Sequence, residues 1–135
     1  MCIGPAVAEE KTAEGLLKSM QTADMTYREL MEVMGKSSVM MHEGVLRHNK
    51  QMVEVGANFI LTHPAPKIPP WKLMPEEDRK AFKSSLVAFD EMLDIHTRSI
   101  VESAKKSDWV GAADASNALM NACISCHTLW RDKVL

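Results

Sequence analysis

The chain has 135 residues, with 16 basic and 18 acidic side chains, a net charge of −2, 46% apolar residues and 5% aromatics. Its length suits one domain with a core of its own. Its charge balance leaves no basic footprint for nucleic acid and no polybasic membrane signal. No apolar run approaches the length of a transmembrane helix, so no membrane anchor is expected. With so few aromatics, the core must come from Leu, Val, Ile, Ala and the 11 Met. Methionine fills irregular gaps and is a soft ligand, so it suits a flat, bulky cofactor as well as an ordinary helical core.

The first residues, Met1 to Ala8, are small and apolar. Ala6-Val7-Ala8 is an A-x-A pattern followed by Glu9-Glu10. That reads as the end of a secretory signal peptide without its charged and long apolar parts, or as an ordinary irregular start. Cys2 has no lipobox before it, which argues against lipid anchoring. From Glu9 to Met20 a short amphipathic stretch with Leu16, Leu17 and Met20 predicts a weakly held partial helix. Residues 1–21 are therefore set apart as an N-terminal extension and 22–135 as the folded body.

Helices are expected throughout the body. Thr22 or Asp24 can cap a helix running roughly to Met41, with a seam of Tyr27, Met31, Met34, Ser38, Met41 and Val45 and a break near Gly44. Asn49 can cap the next, carrying Met52, Val53, Val55, Ala57, Phe59, Ile60 and Leu61 and ending near His63. His42, His48 and His63 read as surface residues. Pro64, Pro66, Pro69 and Pro70 then exclude helix and central strand. Trp71 lies in this long connection, placed to shield a cofactor edge or to cover a bundle end. Pro75 with Glu76, Glu77 and Asp78 suits a helix start. The third long helix has the seam Phe82, Leu86, Phe89, Leu93, His96 and Ile100, with Lys105 and Lys106 at its negative end. Asp108 caps the last helix, which carries Trp109, Val110, Ala113, Ser116, Leu119, Met120 and Cys123 and runs to about Arg131. There is no internal repeat. Four long helices with one long middle connection predict an antiparallel bundle packed near-aligned.

The stretch that carries chemistry is Cys123-Ile124-Ser125-Cys126-His127, the C-x-x-C-H pattern of c-type haem attachment. Two thiols add across two vinyl groups of one porphyrin edge, and the next imidazole reaches the iron from the same side. A single motif implies one covalent haem c. The competing readings are a thioredoxin-like dithiol, half a zinc site, and two buried cysteines beside a histidine. The first wants a βαβ setting and the second another ligand pair, and the sequence offers neither.

A four-helix pattern with C-x-x-C-H on the last helix resembles the class II c-type cytochromes, which include cytochrome c′. The tail Cys-Ile-Ser-Cys-His-Thr-Leu-Trp-Arg is similar to the family's C-x-x-C-H-x-x-aromatic-Arg ending, with Trp130 where Phe or Tyr is usual. The resemblance covers about Asp24 to Leu135 and implies an all-α, antiparallel four-helix bundle with haem c on the C-terminal helix. It also implies His127 as proximal ligand and a distal residue on the first long helix, four before a small residue. Here that residue is Met31, four before Gly35. Methionine there is the mark of the family's low-spin branch, in which it is the sixth ligand. Met34, one turn on, is the rival if the register slips. Arg28 matches a position that lies by the haem propionates in relatives. His96 stays open among ligand, propionate partner and core histidine.

His/Met ligation fills both axial sites and favours the reduced iron. The resemblance therefore implies a one-electron carrier working with redox partner proteins, exported to the periplasm where c-type ligation takes place, and not an enzyme. The alternative is an NO- or CO-binding or sensing protein of the cytochrome c′ kind, with an open or displaceable distal site. The family often forms homodimers through its first two helices, which the resemblance leaves open here.

Overall fold

The computed structural model describes residues 11–134. Cys2, the A-x-A stretch and Glu9-Glu10 lie outside them. Among the described residues the chain is all-helical, with α1 (Ala13–Lys18), α2 (Tyr27–Leu46), α3 (Lys50–Thr62), α4 (Arg79–Lys105) and α5 (Trp109–Trp130). α2 packs along α3, α4 along α5, and α3 against α4, while α2 also meets α5.

The helix ends follow from local chemistry, with one correction. The cap of α2 is Thr26, not Thr22 or Asp24. Thr26 Oγ1 accepts the Glu29 N–H at 3.1 Å, and Glu29 returns a carboxylate to the Thr26 N–H at 2.8 Å. This capping box satisfies two backbone donors at once. Residues 21–25 are engaged elsewhere. The Ala65 N–H donates to Gln21 O at 2.8 Å, the Ala23 N–H to Ala65 O at 3.0 Å and the Lys67 N–H to Met25 O at 2.9 Å. Asn49 and Asp108 cap α3 and α5 as the sequence suggested. The links 47–49 and 106–108 each turn through one non-glycine residue at positive φ, His48 at 52° and Ser107 at 58°. His48 stacks on Trp109 with centroids 4.8 Å apart and planes 2° apart, so the two links support each other.

Two other expectations need correction. α2 runs on to Leu46, so Gly44 lies inside it rather than at a break. A Cβ at Gly44 would come within 2.9 Å of Met52 and Val53, which is why α3 can cross so closely there. α1, Ala13–Lys18, is the short partial helix expected between Glu9 and Met20. The proline segment is not wholly irregular: Pro70–Leu73 forms one 3-10 turn with Pro70 in its first position, where a missing N–H is harmless. A second such turn, Glu76–Asp78, follows Pro75 and leads directly into α4.

The main core joins Leu30, Met34, Met41 and Val45 of α2 with Val53, Ala57 and Ile60 of α3, Ile100 and Ala104 of α4, and Ala112, Ala115 and Leu119 of α5. The α2 seam is rotated from the expected one. Leu30 and Ser37 are buried, whereas Tyr27, Met31 and Ser38 are only half-buried. Val55, Val110 and Met120 are exposed, against expectation. A smaller cluster of Met74, Phe82 and Trp130 forms apart from the main core, with Tyr27, Trp71, Leu86 and Cys126 against it.

Two glycines test this packing. At Gly56 a Cβ would meet Ser37 O at 2.6 Å and Met41 at 2.8 Å, whereas at Gly35, exposed on α2, it meets nothing within 4 Å. Gly56→Ala should destabilise the fold by about 1–3 kcal/mol, as overpacking does. Gly35→Ala should stabilise it by up to about 1 kcal/mol through helix propensity. Urea denaturation of both variants checks the pair, and equal effects would refute the packing described.

Candidate functional site

The C-x-x-C-H motif lies within the last two turns of α5. On a helix, residues three and four apart share a face, so Cys123, Cys126, His127 and Trp130 form one strip. The other hydroxyls of the region are engaged locally. Ser125 Oγ donates to Asn121 O at 2.8 Å and Thr128 Oγ1 to Ile124 O at 2.8 Å. The thiols and the imidazole are left as the reactive groups of this stretch.

Beside the strip is a cleft of about 590 Å3, within the range of small-molecule and cofactor sites. α5 supplies Cys126, His127 and Trp130 to it, and Arg131 follows at its end. The first turns of α2 supply Tyr27, Arg28, Met31 and Glu32, together with the cap Thr26. Leu73 and Met74 of the proline segment and Phe82 of α4 complete the wall, with Val134 beyond α5. Four of the sequence-derived candidates thus meet at one cavity: Cys126, His127, Met31 and Arg28. Cys123 does not line it. It sits one turn back, half-buried against the main core. Met34 also stays out of the cavity and is buried in that core.

The apolar wall is held rigidly. Phe82 and Trp130 meet edge to face, with centroids 5.5 Å apart and planes at 84°. Arg79 Nε donates to Met74 O at 3.1 Å, fixing the turn that delivers Met74. Lys133 Nζ lies 3.1 Å from Asp78 Oδ1 and 5.5 Å from the Trp130 ring, which ties the end of α5 to the start of α4. Trp71 packs behind this cluster with Lys83 Nζ 5.1 Å over its ring, and it does not line the cleft.

Burial sets the local electrostatics. It pushes the Cys123 thiol up, and burial followed by repulsion from Cys123 does the same at Cys126. Both sulfurs are thus held as thiols, unlike the activated thiolate of a dithiol oxidoreductase. Burial first, with the neighbouring Cys126 second, pushes the Tyr27 phenol far above its ordinary value. Among the described residues, no group of three or more His, Cys, Asp or Glu could hold a bare metal ion, which leaves the zinc reading without a site there.

The donor set fits a porphyrin better than a naked ion. It comprises two thiols three apart on one helix, an adjacent imidazole, a thioether from another helix, and a wide apolar wall. Arg28, Arg131 and Glu32 add charged side chains to the cleft wall. Sequence reasoning missed Leu73, Met74 and Arg131. Arg131 belongs to the quoted tail and could have been found there, whereas nothing in the sequence placed the proline segment across from α5. His96 is half-buried and lies outside the cleft. His42 Nδ1 lies 3.4 Å from Ser116 Oγ, joining α2 to α5. His63 is not the surface residue expected: its side chain is only 14% exposed and its Nε2 is 3.2 Å from Asp90.

No protein-family model matches this chain, and no curated protein or solved structure is similar to it.

Tyr27 is the chain's single tyrosine, so ultraviolet titration reports it alone. In the folded chain, tyrosinate absorbance should be absent at about pH 10, where an ordinary phenol is half-ionised, and should rise only with unfolding. A normal midpoint in the folded chain would show that Tyr27 is not buried against Cys126.

Proposed function

We propose that this chain is a one-electron carrier holding a single haem c, within an antiparallel four-helix bundle of the class II cytochrome kind. The observation that carries the reading is the meeting of Met31 with Cys126 and His127 at one cavity, from two helices far apart in sequence. Cys123 and Cys126 would hold the group through thioethers, and His127 and Met31 would ligate its iron. When bound, such a group supplies one-electron exchange between two iron states, and a thioether ligand favours the reduced one.

The chain's own residues have four tasks in this reading. His127 and Met31 would both ligate the iron, leaving it no open place for a substrate. Met74, Phe82 and Trp130 would exclude water and lower the local dielectric, which penalises extra charge at the centre. Arg28 and Arg131 would pair with the porphyrin carboxylates. Cys123, half-buried against the core, would hold one edge to α5. Redox partner proteins and export to the periplasm belong to the same reading, because thioether attachment takes place outside the bacterial cytoplasm in the class it resembles.

Acid–acetone extraction of the coloured protein should leave the colour with the polypeptide, and a colourless pellet would end the proposal. The oxidised protein should be low-spin, with a sulfur-to-iron charge-transfer band in the near-infrared. Met31→Ala should lose that band, admit CO and lower the potential. Met34→Ala, truncating a buried side chain, should cost about 2–5 kcal/mol of stability yet keep the band. If the wild type is high-spin and takes up CO readily, gas binding replaces electron carriage as the function.

A further inference from the structure

A second concavity, of about 710 Å3, opens where α1, the end of α3 and the middle of α4 meet. His63, which ends α3, lies in its wall with Asp90 and Asp94 of α4. His63 Nε2 lies 3.2 Å from Asp90 Oδ1, and Nδ1 lies 3.1 Å from the Pro64 carbonyl oxygen. Carbonyl and carboxylate oxygens only accept. A neutral imidazole has one N–H and can satisfy one of them, whereas the imidazolium satisfies both. Asp94, bound to Arg98 at 2.8 Å, is the other titratable side chain on this wall. Leu16 of α1, Ser19 and Met20 just beyond it, and Ile60, Leu61 and Thr62 of α3 are uncharged.

The position of this residue gives its protonation a consequence. Pro64 opens the segment whose Ala65 and Lys67 amides donate to Gln21 O and Met25 O. Residues 21–25 lead directly to Thr26, Tyr27 and Arg28, one wall of the cleft beside the C-x-x-C-H motif. Downstream, the same segment leads to Leu73 and Met74, the facing wall.

We infer that His63 is a proton-dependent latch: as imidazolium it pins the proline segment to α4, and its deprotonation as pH rises loosens both walls that this segment connects. The inference does not depend on what the cleft binds. The hydrogen bond to Asp90 raises the His63 pKa, outweighing the opposite effect of burial. Because the folded-state value lies above the unfolded one, the latch stabilises fully below about pH 6.5 and its contribution is lost as pH rises through the folded value.

Nitrogen NMR of the isolated protein tests this. The His63 titration midpoint should lie above the ordinary histidine value of about 6.5, with both ring nitrogens protonated below it, and Asp90→Asn should shift the midpoint down. Backbone 13C shifts of Ala65, Lys67 and Met74 should move with the His63 midpoint in the wild type and follow it downward in Asp90→Asn. In His63→Gln, which keeps a donor to Asp90 but no titrating ring, that pH step should vanish. A His63 midpoint at or below the ordinary value overturns the latch, as do 13C shifts that stay flat across its titration. If His63→Gln does not fold, the wild type and Asp90→Asn still decide.

Discussion

The pitch of α5 is the constraint on which the rest depends. Residues three and four apart on a helix share a face, so Cys123, Cys126, His127 and Trp130 can act as a unit only while the last two turns of α5 stay wound. Those turns are a helix end, where fraying is cheap. Here they are kept in place from outside. Trp130 is clamped against Phe82, and Lys133 reaches Asp78 at the start of α4. The small cluster of Met74, Phe82 and Trp130, separate from the main core, has this as its evident purpose.

α2 supplies the other half. Its middle and end are buried against α3, while its first turns turn outward to the cleft. Met31 and Met34 fall on either side of that change. They are three residues apart on nearly the same stripe, yet Met34 is buried in the core while Met31, half-buried against that core, also lines the cavity. The capping box at Thr26 sets where α2 begins and therefore which of its residues reach the cleft. Residues 21–25, tied by backbone bonds to the proline segment, place that start. The proline segment in turn presents Leu73 and Met74 to the same cleft, so a stretch that reads as a connection builds two of its walls.

Electrostatics around the cleft keep its reactive groups quiet. Burial holds both thiols and the phenol of Tyr27 in their protonated forms, a setting suited to covalent attachment by addition and ill suited to thiol–disulfide exchange. The cations, Arg28 and Arg131, are exposed. The cleft wall therefore combines a protonated thiol and phenol with the charged side chains of Arg28, Arg131 and Glu32.

By itself the sequence determined the helical class and the caps Asn49 and Asp108, because periodicity and capping are local properties of the chain. It also determined that Cys123, Cys126 and His127 share a helix face. The tertiary structure decided the rest. The rotated seam of α2, with Leu30 and Ser37 buried and Tyr27 half-buried, depends on how closely α3 crosses at Gly44 and Gly56, which period counting cannot see. Periodicity puts Met31 and Met34 on one seam, and only the elements packed around α2 bring Met31 to the cleft and leave Met34 in the core. His63 read as a surface residue because its partner, Asp90, is 27 positions away in the chain. A side chain's environment is set by which elements meet around it, and that is a long-range property carried by no short stretch of sequence.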